Sequence, residues 1–258
     1  MRKPKALILR AAGTNCDLET ADACSQVGGA AELVHVNRIK TGQARLLDYD
    51  ILVLPGGFSY GDDAGAGKIL ANQIKLHLKE LRHFVRLGRP VLGICNGFQA
   101  LVKAGLLPAS PSGEQTASFT ANDSGRFEAR WVHLRLNTQS SCLFFKGLPE
   151  MIELPVAHGE GKLVLKSPRQ LEELKKNKSI AMQYVSDDGK LAGYPANPNG
   201  SIFNIAALTN PEGNCLGLMP HPERYTSKYL HPNWTRQTFV KEGVGLEMFR
   251  NAVEYCRG

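Results

Sequence analysis

Gly93-Ile94-Cys95-Asn96-Gly97-Phe98-Gln99 restricts this chain more than any other stretch. The run Arg89-Pro90-Val91-Leu92-Gly93-Ile94 reads as a short buried strand, and Gly97 to Gly105 as a helix closed by glycine. Cys95 therefore stands at a tight strand-to-helix turn. Glycine two residues before it and two after gives the spacing of a nucleophile elbow, with sulfur in place of a hydroxyl. The first helix N–H groups and the positive end of the helix dipole lie beside such a sulfur, and both favour the thiolate. Taken alone, the cysteine also reads as a small buried hydrophobe. A nucleophile needs a base and a group that orients the base.

Met219-Pro220-His221-Pro222-Glu223-Arg224 supplies that pair. Pro222 fixes its own φ and pushes His221 toward extended backbone, where residues two apart point the same way. The imidazole of His221 and the carboxylate of Glu223 are thus expected on one face, as the second and third members of a Cys/His/acid triad. The competing reading is a surface turn with two prolines and a chance acid. A third segment, Ile51-Leu52-Val53-Leu54 running into Pro55-Gly56-Gly57-Phe58-Ser59-Tyr60-Gly61-Asp62, is an apolar strand entering a glycine-rich loop. Open parallel sheets bind ligands at the carboxyl ends of their strands, which puts this loop in one crevice with Cys95. Its glycines permit the close backbone approach that an oxyanion hole requires.

The same periodicities outline the fold. Lys5–Arg10, Ala31–Val36 and Ile51–Leu54 read as strands, and Leu18–Val27 as a helix closed by Gly28-Gly29. Leu70, Ile74, Leu78, Leu81 and Val85 form one apolar stripe, read as a single helix ended by Gly88 and Pro90. Strands alternating with helices predict an α/β fold with a doubly wound, mostly parallel sheet. Between about 107 and 215 the text turns to short β-like runs such as Trp131–Leu136 and Gly161–Leu165, expected as an antiparallel β extension of the same domain. Gly243–Cys256 is expected as a closing helix. The 258 residues are read as a single domain, 1–258.

Pro-Gly-Gly, Gly-Ile-Cys-Asn-Gly-Phe-Gln and His-Pro-Glu together resemble the class I (triad) glutamine amidotransferases, whose domain is flavodoxin-like. Asn15-Cys16-Asp17, Phe58-Ser59-Tyr60-Gly61-Asp62, Gly125-Arg126-Phe127-Glu128, His158-Gly159-Glu160-Gly161 and Tyr194-Pro195-Ala196-Asn197-Pro198-Asn199-Gly200-Ser201 narrow the match. They resemble the branch of glutaminase subunits that serve phosphoribosylformylglycinamidine synthase, over almost the whole chain. Asp63 departs from the branch, which has an apolar or aromatic residue there. The resemblance implies a glutaminase in which Cys95 attacks L-glutamine, His221 moves protons and Glu223 holds the ring. It also implies Asn96 and Gly57 as oxyanion donors, with Gly56, Phe58, Gln99 and His158 lining the substrate site. The implied partner is the ATP-dependent synthetase subunit, with a small third subunit common in the branch. ATP and Mg belong on the synthetase and no cofactor on this chain. Three rivals stay open: a class I glutaminase feeding another synthetase, an intracellular cysteine peptidase-like hydrolase, and a non-catalytic regulatory subunit.

Composition narrows the remaining classes. Hydrophobic content of 43% and charged content of 21% suit a globular domain, and the longest apolar runs are strand-sized, so no membrane span is expected. The basic start Arg2-Lys3-Pro4-Lys5 precedes an apolar run that stops at Arg10, too short for a signal peptide. The net charge of +7 is scattered, with no interleaved basic and aromatic pattern, so nucleic acid is not expected as a partner. Six cysteines without close pairs or metal-ligand spacing predict reduced thiols in the cytoplasm and no metal site. Gly65-Ala66-Gly67-Lys68 imitates a phosphate loop but has Asp62 where glycine and Ile69 where Ser or Thr would be required, which predicts no ATP site here.

Overall fold

The computed structural model describes residues 2–109, 114–236 and 242–258. Its strands in chain order are β1 (Lys5–Arg10), β2 (Ala30–His35), β3 (Ile51–Leu54), β4 (Val91–Ile94), β5 (Ala117–Thr120), β6 (Glu128–Leu136), β7 (Met151–His158), β8 (Lys162–Leu165), β9 (Ile180–Val185), β10 (Ile205–Thr209) and β11 (Cys215–Leu218). The helices are α1 (Asp17–Gln26), α2 (Val36–Lys40), α3 (Lys68–Leu76), α4 (Leu78–Arg86), α5 (Asn96–Lys103), α6 (Pro168–Lys176) and α7 (Val244–Tyr255).

Nine strands form one sheet in the order β2-β1-β3-β4-β11-β10-β9-β6-β7. Its first half, β2-β1-β3-β4-β11, is parallel throughout. Counted by position, this is the 2-1-3-4-5 order of the flavodoxin-like doubly wound sheet, with β5 to β10 inserted before the fifth strand. β3, β4 and β11 are buried along their whole length, as central parallel strands covered on both faces must be. The second half is antiparallel. β7 alternates half-buried and buried residues, one face on the core and one toward water, and it carries Pro155 as an edge strand can. A separate ribbon pairs β5 with β8.

The strands, the closing helix and the antiparallel extension expected from the sequence are present, apart from 110–113, which lie outside the described residues. One element differs. The stripe from Leu70 to Val85 is carried by two helices, α3 and α4, broken at His77, whose N–H donates to the Ile74 carbonyl at 2.9 Å in a tighter turn. Leu70, Ile74, Leu81 and Phe84 are buried and Leu78 and Val85 pack on the core, so the stripe survives the break. No glycine or proline marks position 77, and apolar periodicity alone cannot register it.

The glycine after the elbow is fixed by contact. A Cβ on Gly97 would stand 2.0 Å from the Leu54 carbonyl oxygen, because α5 starts directly against the end of β3. Gly97→Ala is therefore expected to cost about 1–3 kcal/mol of unfolding free energy, the usual range for overpacking. Gly193→Ala, with nothing within 4 Å of its Cβ position, should be near neutral. Urea denaturation of the two variants checks this, and equal losses would contradict it.

Candidate active site

The carboxyl ends of the parallel strands converge. β4 ends at Cys95, which caps α5 with φ 49 and ψ −103, a conformation a non-glycine residue adopts only when its surroundings hold it there. Its N–H donates to the Leu218 carbonyl at 2.8 Å and its carbonyl accepts from Gln99 N–H at 3.0 Å, so the elbow is tied both to β11 and to the helix it opens. β11 ends in the Met219-to-Arg224 segment, which places His221 beside it. The edge strand β7 returns to the same place: the Pro155 carbonyl accepts from His221 N–H at 2.8 Å, and the Ala157 carbonyl lies 3.6 Å from Cys95 Sγ. The antiparallel extension thus closes one wall of a site opened by the parallel half.

His221 and Glu223 meet, by a different route from the one expected. His221 is near-extended, with φ −108 and ψ 89, but Pro222–Arg224 forms a single 3₁₀ turn. The turn rather than strand alternation carries the Glu223 carboxylate back, and Nδ1 lies 2.6 Å from Oε1 with both side chains buried. Burial opposes charge on the ring, yet the Glu223 carboxylate, then Cys95, and hydrogen-bonding contact with Cys16 and Cys95 outweigh it. The His221 pKa is held well above the ordinary histidine value. Glu223 Oε2 is buried with no hydrogen-bond partner.

Gly56 packs between the groups. A Cβ there would stand 2.8 Å from His221 Cε1 and 3.1 Å from Cys16 Sγ, so the loop after β3 passes flush against the imidazole. Gly57 has φ 139 and bridges Thr14 on the loop after β1. Asn96, first residue of α5, carries one of the N–H groups that no helix carbonyl can reach. Its buried side chain accepts from Ser59 N–H at 3.3 Å and donates to Asp62 Oδ1 at 3.0 Å and Gln99 Oε1 at 3.1 Å. It pins the glycine-rich loop to the elbow helix. Gln99 donates to the Glu160 carbonyl at 2.6 Å, joining this group to the segment after β7. Phe58 is half exposed and stacks on Phe127 at 6.2 Å. Asp63 is exposed at the end of the 59–62 turn.

His158 is buried between Asn122 Oδ1 at 3.1 Å and Asn199 Nδ2 at 3.4 Å, and Asn199 also donates to the Tyr184 hydroxyl at 3.2 Å. Burial, with the charge of His221 nearby, pulls its pKa down to about 4. A neutral ring held by two asparagine side chains anchors the 158–161 segment. The Asn-Pro-Asn-Gly-Ser stretch, singled out in the sequence without a physical role, is one half of that anchor. Reading the sequence also left Cys16 without a role. The structure sets it against His221, with Arg224 donating to its sulfur at 3.1 Å and to Glu19 Oε1 at 2.9 Å. All six cysteines are unbridged.

Comparison with known proteins agrees with this geometry. The sequence model for the CobB/CobQ-like glutamine amidotransferase domain matches residues 3–256. The phosphoribosylformylglycinamidine synthase subunit PurQ of Dehalococcoides mccartyi is 46% identical over 259 residues, spanning 100% of this chain and 99% of its own. The corresponding subunit of Methanococcus maripaludis is 40% identical, spanning 98% and 97%. Among solved structures, a chain of PurLQS from Thermotoga maritima superposes with a TM-score of 0.74 at 29% identity, covering 98% of this chain and 99% of that one. A glutamine amidotransferase from the same organism, at 16% identity and a TM-score of 0.58, shares the fold.

Proposed function

Since the chain belongs to the family of CobB/CobQ-like glutamine amidotransferase domains, we infer that it is the glutaminase subunit of a phosphoribosylformylglycinamidine synthase, which acts on L-glutamine and hands the ammonia to a synthetase subunit. The observation that carries the chemistry is the buried His221–Glu223 pair at 2.6 Å, with Cys95 at a strained elbow close enough to raise the imidazole pKa. Cys95 Sγ attacks the side-chain amide carbon, giving a tetrahedral oxyanion, and expulsion of ammonia leaves a glutamyl thioester. His221 gives the leaving nitrogen its proton, then takes one from the water that hydrolyses the thioester. Glu223 fixes the tautomer and stabilises the imidazolium. The N–H groups of Asn96 and Gly57 are the oxyanion donors, each worth about 3 kcal/mol in acyl transfer. Gly56, Phe58, Gln99 and the 158–161 segment form the walls around the glutamine, and His158 acts by holding that segment.

Ammonia released into water is lost to the acceptor, so the activity belongs in a complex. ATP and Mg act on the synthetase, and a small third subunit completes the assembly. No helix among the described residues is long and apolar enough to cross a membrane; a cytoplasmic site of action fits a purine-pathway glutaminase. The test is labelling by a glutamine-analogue electrophile, read by mass spectrometry, alongside glutamine hydrolysis with and without the synthetase. The expected result is one adduct, on Cys95, and hydrolysis that accelerates when the partner is added. Absence of an adduct in both free and partnered protein would favour a non-catalytic regulatory subunit, and a rate indifferent to the partner would remove the coupling.

A further inference from the structure

The helix that opens at the nucleophile carries a buried cation for which the proposed chemistry has no use. Asn96, Gln99 and Lys103 follow one stripe of α5, since residues three and four apart share a helix face. All three are buried. A lysine is seldom buried without partners, and here they belong to the loop that runs from Gly57 to α3 and to the segment after β7. Lys103 Nζ donates to the Ala66 carbonyl at 2.6 Å. The Ala66 N–H donates to Glu160 Oε2 at 3.1 Å, so both backbone groups of this residue are held by charged side chains. The N–H of Gly67 donates to Asp62 Oδ1 at 3.2 Å, the oxygen that also accepts from Asn96. A Cβ on Gly67 would stand 3.0 Å from the Ala100 nitrogen and 3.1 Å from the Asn96 carbonyl oxygen, so this end of the loop lies flat on the first turn of α5. Burial lowers the proton affinity of the Lys103 ammonium, and the charges of Glu160 and Asp62 work against that.

The middle of the same loop is strained. Tyr60, Gly61 and Asp62 have φ of 56, 69 and 54 in succession, and residues other than glycine keep such backbone only where their surroundings impose it. We propose that Lys103 is a positioning residue for the oxyanion hole: its ammonium fastens the 59–67 loop to the nucleophile helix and so holds the Gly57 N–H at the site it shares with Asn96. A hydrogen bond from an ammonium to a carbonyl away from water is among the stronger ones a loop can receive. The fastening runs from Lys103 to Ala66, from Gly67 to Asp62 and from Asp62 to Asn96. Without its first link, the strain at 60–62 is free to relax, and Gly57 stands three residues from it. The catalytic consequence rests on the reading of Gly57 and Asn96 as oxyanion donors; the fastening itself does not.

The test is Lys103→Met, which keeps an apolar stem and deletes the charge. In hydrogen exchange of the folded full chain, the amides of Gly61, Ala66 and Gly67 should exchange at least about tenfold faster than in the wild type, with those of β1 and β4 unchanged. With the synthetase present, kcat for glutamine should fall at least about tenfold while KM stays within about twofold, the signature of a contact made only in the transition state. Lys68→Met, which removes a neighbouring cation from α3, should match the wild type in both measurements. Were Lys103→Met unable to fold, Glu160→Ala, which frees the Ala66 N–H from the other side, should loosen the same amides. Unchanged exchange at 61–67 in folded Lys103→Met would overturn the proposal, as would a wild-type kcat or an equal loss in Lys68→Met. A wild type that turns over no glutamine with its partner would instead remove the glutaminase reading, and hydrogen exchange would still decide the fastening.

Discussion

Cys95→Ala should lower glutamine-dependent synthesis by the complex about 10⁶-fold, the scale seen when a triad nucleophile is removed. Ammonium-dependent synthesis by the same complex should survive. The asymmetry follows from where Cys95 sits. It is the residue at the tip of β4 whose sulfur faces the His221 ring and the Ala157 carbonyl, and no other described cysteine occupies an elbow with φ above zero. Removing the sulfur deletes the atom proposed to form the thioester and leaves the rest of the proposed site in place. The backbone keeps its ties through Leu218 and Gln99, so the variant should fold and assemble. Glutamine-driven and ammonium-driven product formation, measured side by side, separate the two activities. Loss of both would mean that the substitution had broken the complex, and survival of both would remove Cys95 from the chemistry.

The parts of this site that could be read from the sequence are those whose chemistry is local. Gly93, Cys95 and Gly97 announce the elbow because the packing constraint, the nucleophile and the helix start fall within five residues, and Gly97 meets Leu54 as that spacing requires. His221 and Glu223 were legible as a pair, although the local geometry is a 3₁₀ turn where alternation along extended chain was expected; proline supports both, and position alone does not choose. The place of Cys16 near a strand end put it on the crevice side, but its contact with the histidine was not legible. Its neighbour in space is two hundred positions away in sequence, and only the adjacency of β1, β3 and β4 in the parallel half puts the loop after β1 against His221. The role of Asn199 was hidden for the same reason: a hydrogen bond to a buried histidine on another strand leaves no periodic trace. The helix break at His77 was hidden for a different one, since the apolar stripe continues across it. The resemblance to glutamine amidotransferases reached past these gaps, because a family pattern records long-range neighbours that spacing cannot.

Glu223→Gln is expected to lower glutaminase turnover by about 10⁴-fold, the cost of replacing a buried triad acid by its amide. The amide matches the carboxylate in size, so the 2.6 Å contact to His221 Nδ1 can be kept in length while its charge is lost. With the carboxylate gone, the amide can present either an acceptor or a donor to Nδ1, and the tautomer that aims the other nitrogen at Cys95 is no longer enforced. Proton affinity falls as well. In the wild type, burial pulls the His221 pKa down and Glu223 is the first of the groups that raise it; without that charge, burial dominates. The imidazolium needed to expel ammonia is then populated only at lower pH, and the alkaline limb of the pH–rate profile should move toward acid. The sign for stability follows by linkage. A ring whose folded pKa lies above its unfolded value of about 6.5 contributes stability that is complete below that pH and is lost as pH rises through the folded pKa. In Glu223→Gln that contribution is absent, and the wild-type advantage in unfolding free energy should be greatest at the acid end and shrink with rising pH. Urea denaturation of both proteins from about pH 6 to about pH 9 measures it. A difference that is constant or grows with pH would show that Glu223 does not hold the charge on His221, and the acid would then act through packing alone.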